Sequence, residues 1–326
     1  MKSSEKITVV IAVKNREKAV LRTLDSIARQ TLLPARVIVV DNGSTDGTVE
    51  AVSAWAVSHP EVFLTLADES APGAAAARNR GLQLVDTPFV MFFDSDDTMM
   101  PDHLERIERF AELVPDADLI YFDRMEIDDN GWSRVLGSDD SDLLRAQILD
   151  CPFATIGFAA ATDLVRRAGA WDAGLMRWND YELGVRLVLE CRKARKLAGD
   201  PRVRIARSPD SISSRSYHES AHDLECALDR IALALRRAGK LHEVAYVYGR
   251  RAALAALYGR EKAYGESRRL LDSAFNQPPG GLKTLVALQL INLSVRLTGH
   301  GSSMIVRLMM RKKKPKQRRK NSLATE

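Results

Sequence analysis

The sequence predicts an α/β protein that is built on a doubly wound, mostly parallel β-sheet and carries a C-terminal helical appendage. Strand-like and helix-like segments alternate through the first part of the 326 residues, as they do in sheets that are covered by helices on both faces. The strand-like segments are apolar without apolar–polar alternation, so we expect both faces of these strands to be buried. From about residue 219, helical patterns follow one another and are separated by Gly and Pro.

The first part of the chain reads strand, helix, strand, helix, strand, with the second helix expected over residues 48–58. The strand-like runs are residues 7–13, 37–40 and 62–67. Each run is followed by a polar residue, in order Asn15, Asp41 and Asp68. Because ligands of open α/β sheets bind at the carboxyl ends of the strands, these residues indicate a binding edge. Asn15 is also expected to cap the first helix.

The most informative stretch is residues 89–97, FVMFFDSDD, in which five apolar residues run directly into an acidic cluster. The apolar run predicts a central strand, and Pro88 and Pro101 bound the unit. Asp94 and Asp96 follow the strand and are two residues apart. Carboxylates that are held this close repel each other unless a proton or a cation lies between them.

Two interpretations of this acidic cluster stay open from these residues alone. In the first, the carboxylates hold Mg²⁺ or Mn²⁺, which commonly join one or two carboxylates to the phosphates of a substrate. In the second, the cluster is a solvated helix cap, and Asp97 or Thr98 caps a helix that begins near Pro101. Capping explains one carboxylate and leaves two without a role.

Two further segments carry candidate functional residues. In residues 72–80, PGAAAARNR, we expect one of Arg78 and Arg80 to be solvated and the other to neutralise an anion at the binding edge. Farther along, Asn179 or Asp180 is expected to begin a helix. Asp180 is either the cap of this helix or a carboxylate base, ionised near the positive end of the helix dipole, that takes a proton from a hydroxyl.

His218 lies in the polar run of residues 211–222, SISSRSYHESAH. It is either an exposed residue or a neutral metal ligand, if this loop folds over the acidic cluster. The sequence also predicts a strand over residues 118–122, a hairpin at residues 129–131 and a helix within residues 139–150.

Composition limits the cellular setting. The three cysteines, Cys151, Cys191 and Cys226, have no metal-ligand spacing, so we expect no disulfide framework and a reducing cytoplasm. The first residues lack a long apolar region, and no apolar run reaches the length of a membrane span, so neither a signal peptide nor a spanning helix is expected.

The net charge of +5 is unevenly distributed. Residues 307–326 contain nine Lys or Arg and one Glu, which leaves the rest of the chain with a net charge of −3. Together with the apolar pattern that precedes it, this tail is either solvated or adsorbed to an anionic membrane surface, which would place the protein peripherally on the inner membrane face. Few aromatic residues interleave with the charges, so no nucleic-acid partner is expected.

Six blocks of the sequence, taken in order, resemble a known family. They are VVIAVKN, VIVVDNGSTDGT, APGAAAARNRGL, FVMFFDSDD, GAWDAGLMRWNDYELGVRL and SRSYHESAH. Residues from about 7 to 220 resemble family-2 glycosyltransferases of the GT-A fold. The resemblance implies an inverting transferase that moves a sugar from a nucleotide-diphospho-sugar, with a UDP-sugar favoured, to an acceptor hydroxyl. It also implies a Mg²⁺ or Mn²⁺ cofactor and a role in the synthesis of surface polysaccharide or glycolipid, on a saccharide or lipid-linked acceptor.

The resemblance also implies roles for residues that match the family's motifs. Those assigned to the nucleotide are Ala12 in the nucleoside pocket, Asp41 and Asp68 on the nucleoside, Arg78 near the nucleotide and Asp94 on the ribose. Those assigned to the metal are Asp94 and Asp96, which form the DxD pair, and His218, which often touches the metal or the diphosphate. Asp180 matches the residue that deprotonates the acceptor.

This sequence departs from the family pattern at several positions. The family usually has Pro at the position of Ala12 and Tyr near Lys14, and these residues shape the nucleoside pocket, so the preference for a particular nucleotide base is less defined. It also usually has Glu at the position of Asn179, whereas Asp180, the position assigned the chemistry, is retained. The domain prediction is a catalytic domain over residues 1–220, a helical appendage over 221–300 and a basic tail over 301–326.

Two other functions compete with glycosyl transfer. A sugar nucleotidyltransferase would use a similar sheet, carboxylates and a metal, but the glycine-rich basic loop expected after the first strand is absent from residues 13–16, VKNR. The chain likewise lacks a P-loop and a dinucleotide-binding GxGxxG after that strand. The other competitor is a non-catalytic, nucleotide-sugar-binding membrane scaffold, which would bind the donor without turnover.

Overall fold

The structure is a computed structural model that describes residues 2–128, 130–137, 142–206, 216–276 and 282–298. The strands of these ranges are, in chain order, β1 (Lys2–Ser3), β2 (Ile7–Val13), β3 (Leu32–Leu33), β4 (Arg36–Asp41), β5 (Leu64–Asp68), β6 (Phe89–Asp94), β7 (Thr98–Met99), β8 (Leu119–Phe122), β9 (Arg124–Ile127), β10 (Ser133–Leu136), β11 (Phe158–Ala161), β12 (Ala194–Leu197) and β13 (Val203–Ala206). The predicted hairpin is present as the antiparallel pair β9 and β10, although Asp129 in its turn lies outside the described residues.

Helices alternate with the first strands and then follow one another at the end of the chain. They are α1 (Glu17–Ala28), α2 (Thr48–Ser58), α3 (Ala74–Gln83), α4 (His103–Leu113), α5 (Leu143–Asp150), α6 (Thr162–Arg167), α7 (Asn179–Glu190), α8 (Ala221–Arg237), α9 (Val244–Arg260), α10 (Tyr264–Asn276) and α11 (Leu282–Thr298). The predicted helices at residues 48–58 and at Asn179 are confirmed.

The main sheet has the strand order β12-β8-β11-β6-β2-β4-β5. Its centre is parallel, because β2 pairs in parallel with both β4 and β6, and β4 pairs in parallel with β5. Strand β11 is the exception and runs antiparallel to β6 and β8. A second, smaller sheet has the strand order β10-β9-β13-β7. This mixed but mainly parallel sheet with C-terminal helices confirms the predicted fold class.

Both faces of the central strands are buried, as their unbroken apolar sequences predicted. Along β6, Met91 and Phe93 belong to one apolar core, while Val90 and Phe92 belong to another on the opposite face. The first core includes apolar residues of α1 and α4, and the second includes residues of α3 and α7. Because successive strand residues point to opposite faces, a strand that is covered on both sides needs an apolar residue at every position.

The C-terminal helices form a third core together with two helices from the preceding part of the chain. This core joins Tyr181 and Val185 of α7 and Ile148 of α5 to residues of α8, α9, α10 and α11, among them the fully buried Tyr258. The helical appendage is therefore packed directly against the helix that begins at Asn179. The domain division at residue 220 stays a prediction, and the basic tail lies outside the described residues.

Two predicted helix caps were wrong. The first residue before α1 is Arg16, without a side-chain cap, and Asn15 instead accepts a hydrogen bond from the Thr45 backbone N–H at 2.8 Å. Residue Asp102, and neither Asp97 nor Thr98, precedes α4. Thr98 is in β7, and the Asp97 carboxylate accepts a hydrogen bond from the Ala206 N–H at 2.9 Å. Each side chain bonds to a segment that is distant in sequence, the loop at Thr45 for Asn15 and the end of β13 for Asp97, which local patterns do not reveal.

Among the helices that the structure describes, none is both long and apolar enough to cross a lipid bilayer.

Candidate active site

Four of the predicted site residues lie side by side at the carboxyl ends of the parallel strands. Ala12 of β2 is paired with Asp94 of β6, and Val13 of β2 is paired with Asp41 of β4. Asp41 is in turn paired with Asp68, the last residue of β5. The register of the sheet thus places Asp94, Ala12, Asp41 and Asp68 in a row along one edge, where α/β sheets bind their ligands.

Arg78 links this row of strand ends to helix α7. Its Nη2 donates to Asp94 Oδ1 at 2.7 Å, and its Nη1 donates to Asn179 Oδ1 at 3.3 Å. Its guanidinium carbon also lies 4.4 Å from the centre of the Trp171 ring. The Arg78 side chain is only 8% exposed, whereas the Asp94 side chain is 36% exposed. Of the two arginines considered in this helix, Arg78 is therefore the one at the strand edge, while Arg80 donates to Gln83 on its own helix.

The acidic cluster after β6 contains carboxylates with raised pKa values. Burial, and then the charge of Asp94, raises the pKa of Asp96, although Arg16 at 4.0 Å opposes this shift. Burial raises the pKa of Asp97 well above its ordinary range, and the charges of Asp94 and Asp96 raise it further. Because each carboxylate raises the pKa of the next, the cluster as a whole favours a bound proton or cation.

Asp180 lies in the first turn of α7 and is partly buried. The Tyr181 N–H donates to Asp180 Oδ1 at 2.8 Å, which fixes the orientation of this carboxylate. Burial raises the pKa of Asp180, Arg78 acts in the opposite direction, and Asp94 raises it. Trp178, two residues before Asp180, has a φ of 58°. The backbone therefore enters α7 through a left-handed conformation that is unusual for a bulky residue.

The Asp41 carboxylate orders the loop that follows β4. Asp41 Oδ2 accepts hydrogen bonds from the N–H groups of Gly43 and Ser44, at 3.1 and 3.0 Å. Its other oxygen, Oδ1, is buried and has no hydrogen-bond partner among the described residues. A buried acceptor without a partner is costly. Asp41 therefore presents an oxygen that a ligand N–H or O–H group would satisfy.

Asn42 organises the neighbouring loop and was not identified from the sequence. Its Nδ2 donates to the carbonyl oxygens of Glu69 and Ala71, and its Oδ1 accepts from the Gly73 N–H. These three bonds connect the end of β4 to the chain just before α3. The asparagine in the DNGS sequence was visible as a turn residue, but its partners are about thirty residues away, so no local signal points to them.

His218 contacts the C-terminal helices in this structure. Its Nε2 lies 3.5 Å from Glu266 Oε1, and its ring meets that of Tyr258 edge to face. Its backbone N–H donates to Glu261 Oε2, and Glu261 also accepts from the N–H of Tyr217. Burial acts to raise the pKa of Glu261, but these hydrogen bonds outweigh it, so the pKa is lowered. Residues 207–215, which precede this segment, lie outside the described residues.

Helix α9 contributes a second arginine, Arg250, which packs against aromatic residues at the start of α7. The guanidinium carbon of Arg250 lies 5.4 Å from the ring centre of Trp178 and 5.5 Å from that of Tyr181. Its Nη1 also donates to the Leu149 carbonyl at 3.4 Å. Arg250 thus braces the two aromatic residues on either side of Asp180. Nothing in the sequence indicated this role, because Arg250 is far from α7 along the chain.

The donor atoms at the strand edge suit a divalent cation such as Mg²⁺ or Mn²⁺. Asp94 and Asp96 supply carboxylate oxygens, the ligands that these ions prefer. Burial together with the charge of Asp94 raises the pKa of Asp96, a shift that a nearby cation would reverse. The described residues contain no group of three or more His, Cys, Asp or Glu side chains arranged to hold a metal. The fit is therefore to a cation held by two carboxylates and completed by the phosphates of a substrate.

Comparison with known protein families identifies a match over the region that builds this edge. The family model described as glycosyl transferase family 2 matches residues 8–172. YibD of Escherichia coli, an uncharacterized glycosyltransferase, is 32% identical over 119 residues, which cover 36% of this chain and 34% of YibD. The amylovoran biosynthesis glycosyltransferase AmsE of Erwinia amylovora is 26% identical over 247 residues, which cover 73% of this chain and 90% of AmsE.

Solved structures share the fold at low sequence identity. The crystal structure of residues 1–349 of S. aureus TarS in complex with UDP-GlcNAc aligns with a TM-score of 0.70 and 17% identity, over 94% of this chain and 90% of that one. The mannosyltransferase PcManGT from Pyrobaculum calidifontis, in complex with GDP-Man and Mn²⁺, aligns with a TM-score of 0.55 and 20% identity, over 91% of this chain and 88% of that one. These likenesses extend the agreement in fold to the C-terminal helices. Since the family model spans half of the sequence and includes the strand edge, the chain belongs to glycosyl transferase family 2.

Proposed function

We propose that the protein is a metal-dependent, inverting glycosyltransferase that moves a sugar from a nucleotide-diphospho-sugar to an acceptor hydroxyl. The observation that carries this proposal is the position of Arg78, which bonds to Asp94 at the end of β6 and to Asn179 at the start of α7. Arg78 therefore links Asp94, which is assigned to the donor, to the first turn of α7, which carries Asp180, the carboxylate assigned to the acceptor. A transferase needs this convergence, because the donor sugar must meet the acceptor hydroxyl in a single place.

The nucleoside of the donor is proposed to bind at Ala12, Asp41 and Asp68. The buried Asp41 Oδ1 has no partner among the described residues, and the N–H group of a uracil ring is a donor of the required kind. The other nucleotide bases also carry N–H donors, so this oxygen does not select among them. We favour a UDP-sugar on the family resemblance, and TarS, which shares the fold, was solved with UDP-GlcNAc. The guanidinium of Arg78 lies near the proposed position of the diphosphate, and Asp94 is assigned to the ribose.

The cation is proposed to be Mg²⁺ or Mn²⁺, held by Asp94 and Asp96. When bound, it would offset the negative charge that develops on the leaving diphosphate. The proposed contact of His218 with the metal or the diphosphate rests on the family resemblance alone. In this structure its Nε2 lies 3.5 Å from Glu266 Oε1.

Asp180 is the proposed general base. A carboxylate works best as a base when its pKa approaches the working pH, and burial raises the pKa of Asp180 in that direction. The Tyr181 N–H donates a hydrogen bond to this carboxylate, and Arg250 packs against the aromatic rings of Trp178 and Tyr181 in the same turn of chain. Asp180 would accept the proton of the acceptor hydroxyl as that oxygen attacks the sugar carbon directly, and a direct displacement inverts the anomeric centre.

The acceptor is proposed to be a saccharide or a lipid-linked saccharide, in surface polysaccharide or glycolipid synthesis. AmsE, which matches most of this chain, is described as an amylovoran biosynthesis glycosyltransferase. The aligned regions span only 34% of YibD and 46% of the glycosyltransferase GlyG of Streptococcus pneumoniae. Residues 1–220 are proposed as the catalytic domain and residues 221–300 as a supporting helical appendage.

Turnover of a panel of sugar nucleotides tests this proposal. The full chain is incubated with UDP-, GDP-, CDP- and ADP-sugars, Mn²⁺ and a mixture of saccharide acceptors, and the released nucleoside diphosphate is measured. We expect release from one donor class, with loss of release in Asp96→Ala and in Asp180→Asn. Normal release in Asp180→Asn would remove the base assignment, and metal-dependent release that persists in Asp96→Ala would remove the metal assignment.

A further inference from the structure

Helix α11 is apolar on two opposite faces. One face packs against the other C-terminal helices through Ala287, Leu288, Ile291 and Val295, all of which are at most 3% exposed. On the same face, Asn292 Nδ2 donates to the Ala252 carbonyl of α9 at 3.0 Å. This side of the helix is therefore fixed in the core and is not available to a partner.

The other face presents four large apolar side chains to solvent. Val286, Leu290, Leu293 and Leu297 are 43%, 42%, 53% and 74% exposed, and their spacings of four, three and four residues place them in one line along the helix. We call these four residues the α11 stripe. A surface helix normally carries polar residues on its outer face, so a continuous apolar line there indicates a surface that is used for docking.

The sequence around the α11 stripe has a uniform charge. Between Asp272 and Glu326 there is no acidic residue, although the whole chain contains 43 Asp and Glu. The same stretch contains eleven Lys or Arg: Lys283 and Arg296 in α11, and nine more in residues 307–320. An apolar line within a stretch that carries only positive charge is the pattern of a helix that lies on an anionic lipid surface.

We propose that the α11 stripe docks onto an anionic membrane surface, with its leucines in the interfacial layer and the flanking basic residues on the lipid headgroups. Charge complementarity decides between this partner and a second copy of the chain. Two stripes facing each other would bring two positively charged stretches together, whereas anionic lipid attracts them at about 1 kcal/mol for each basic residue near the surface. The docking is independent of the catalytic proposal, since the stripe contains none of the residues assigned to the sugar transfer.

Vesicle sedimentation with the full chain tests this proposal. Vesicles of phosphatidylcholine and phosphatidylglycerol in equal amounts should bind the protein, pure phosphatidylcholine should bind it weakly, and added salt should weaken binding. In the triple variant Leu290→Gln, Leu293→Gln, Leu297→Gln, the partition coefficient should fall at least about tenfold, because three partly inserted leucines lose their apolar contact with the lipid. The matched control is the double variant Val57→Gln, Leu113→Gln, which alters side chains that are 84% and 79% exposed on α2 and α4.

Each alternative gives a different result. Unchanged vesicle binding in the triple variant would overturn the role of the stripe and leave the basic sequence as the only membrane contact. A wild-type dimer that becomes a monomer in the triple variant, without any binding to vesicles, would identify a second copy as the partner instead. Thermal unfolding of the variants is measured alongside, and a triple variant that unfolds like the control while losing only vesicle binding supports the proposal.

Discussion

Replacing Arg78 by lysine separates the positioning role of this side chain from its charge. A lysine retains a positive charge for Asp94 but has no second branch with which to reach Asn179, and it has no planar group to stack on Trp171. The lost bond to Asn179 is long, at 3.3 Å, and contributes about 1 kcal/mol. The lost contact with Trp171, at 4.4 Å in a buried setting, contributes about 1–2 kcal/mol.

The expected loss of stability is therefore about 2–3 kcal/mol, which lowers the midpoint of thermal unfolding by roughly 3–4 °C for a chain of 326 residues. Turnover should fall by about tenfold or more, because the start of α7 loses its connection to the strand edge. The matched control is Arg80→Lys on the same helix, where the side chain donates to Gln83 one turn away. If both variants unfold at the wild-type temperature and turn over the donor equally fast, Arg78 does not connect the two halves of the site.

Three other changes have expected outcomes of different kinds. Asp180→Asn should lower kcat by about a hundredfold to ten-thousandfold. In the wild type, the acidic limb of the kcat/KM profile should lie above the ordinary carboxyl range, because burial raises the pKa of Asp180. An acidic limb at the usual carboxyl pKa would contradict this assignment. The folded-state pKa of Asp97 is raised, so its protonation contributes more to the free energy of unfolding as the pH falls through that raised pKa toward the ordinary carboxyl pKa. The wild type should therefore gain stability relative to Asp97→Asn as the pH is lowered, in denaturant titrations of both proteins at each pH. Gly81→Ala should lower the free energy of unfolding by about 1–3 kcal/mol, because the new Cβ would lie 2.3 Å from Val10 Cγ1. The control Gly265→Ala, whose Cβ would have no atom within 4 Å, should stabilise the protein slightly. Equal unfolding midpoints for the two variants would show that α3 has room against the sheet.

The parts of the fold that follow from local pattern were predictable from the sequence. Unbroken apolar runs predicted strands that are buried on both faces, and β2 and β6 are buried in this way because helices cover each side. The polar residues after these strands predicted a binding edge, and the register of the sheet brings Asp41, Asp68 and Asp94 to it. These positions were predictable because the carboxyl ends of parallel strands lie at the same edge of the sheet.

The parts that depend on distant partners were not predictable. Asn15 and Asp97 are both residue types that commonly cap helices, but each bonds to a distant segment that only the folded chain brings close. The bracing of Trp178 by Arg250 depends on how α9 packs against α7, and neither helix carries a signal for the other. Side chains such as these determine how firmly the site is held, and they are found only when the packing is known.

Ligand-dependent thermal unfolding is the most direct test of the central claim that this edge of the sheet binds a nucleotide-diphospho-sugar with a cation. The full chain and Asp96→Ala are each melted with UDP, GDP, CDP, ADP or ATP, with and without Mn²⁺, because a ligand that binds only the folded state raises the unfolding temperature. We expect a rise with one nucleoside diphosphate, UDP in the first place, that depends on Mn²⁺ and is lost in Asp96→Ala. A rise with the triphosphate alone, or no rise with any nucleotide, would contradict the account.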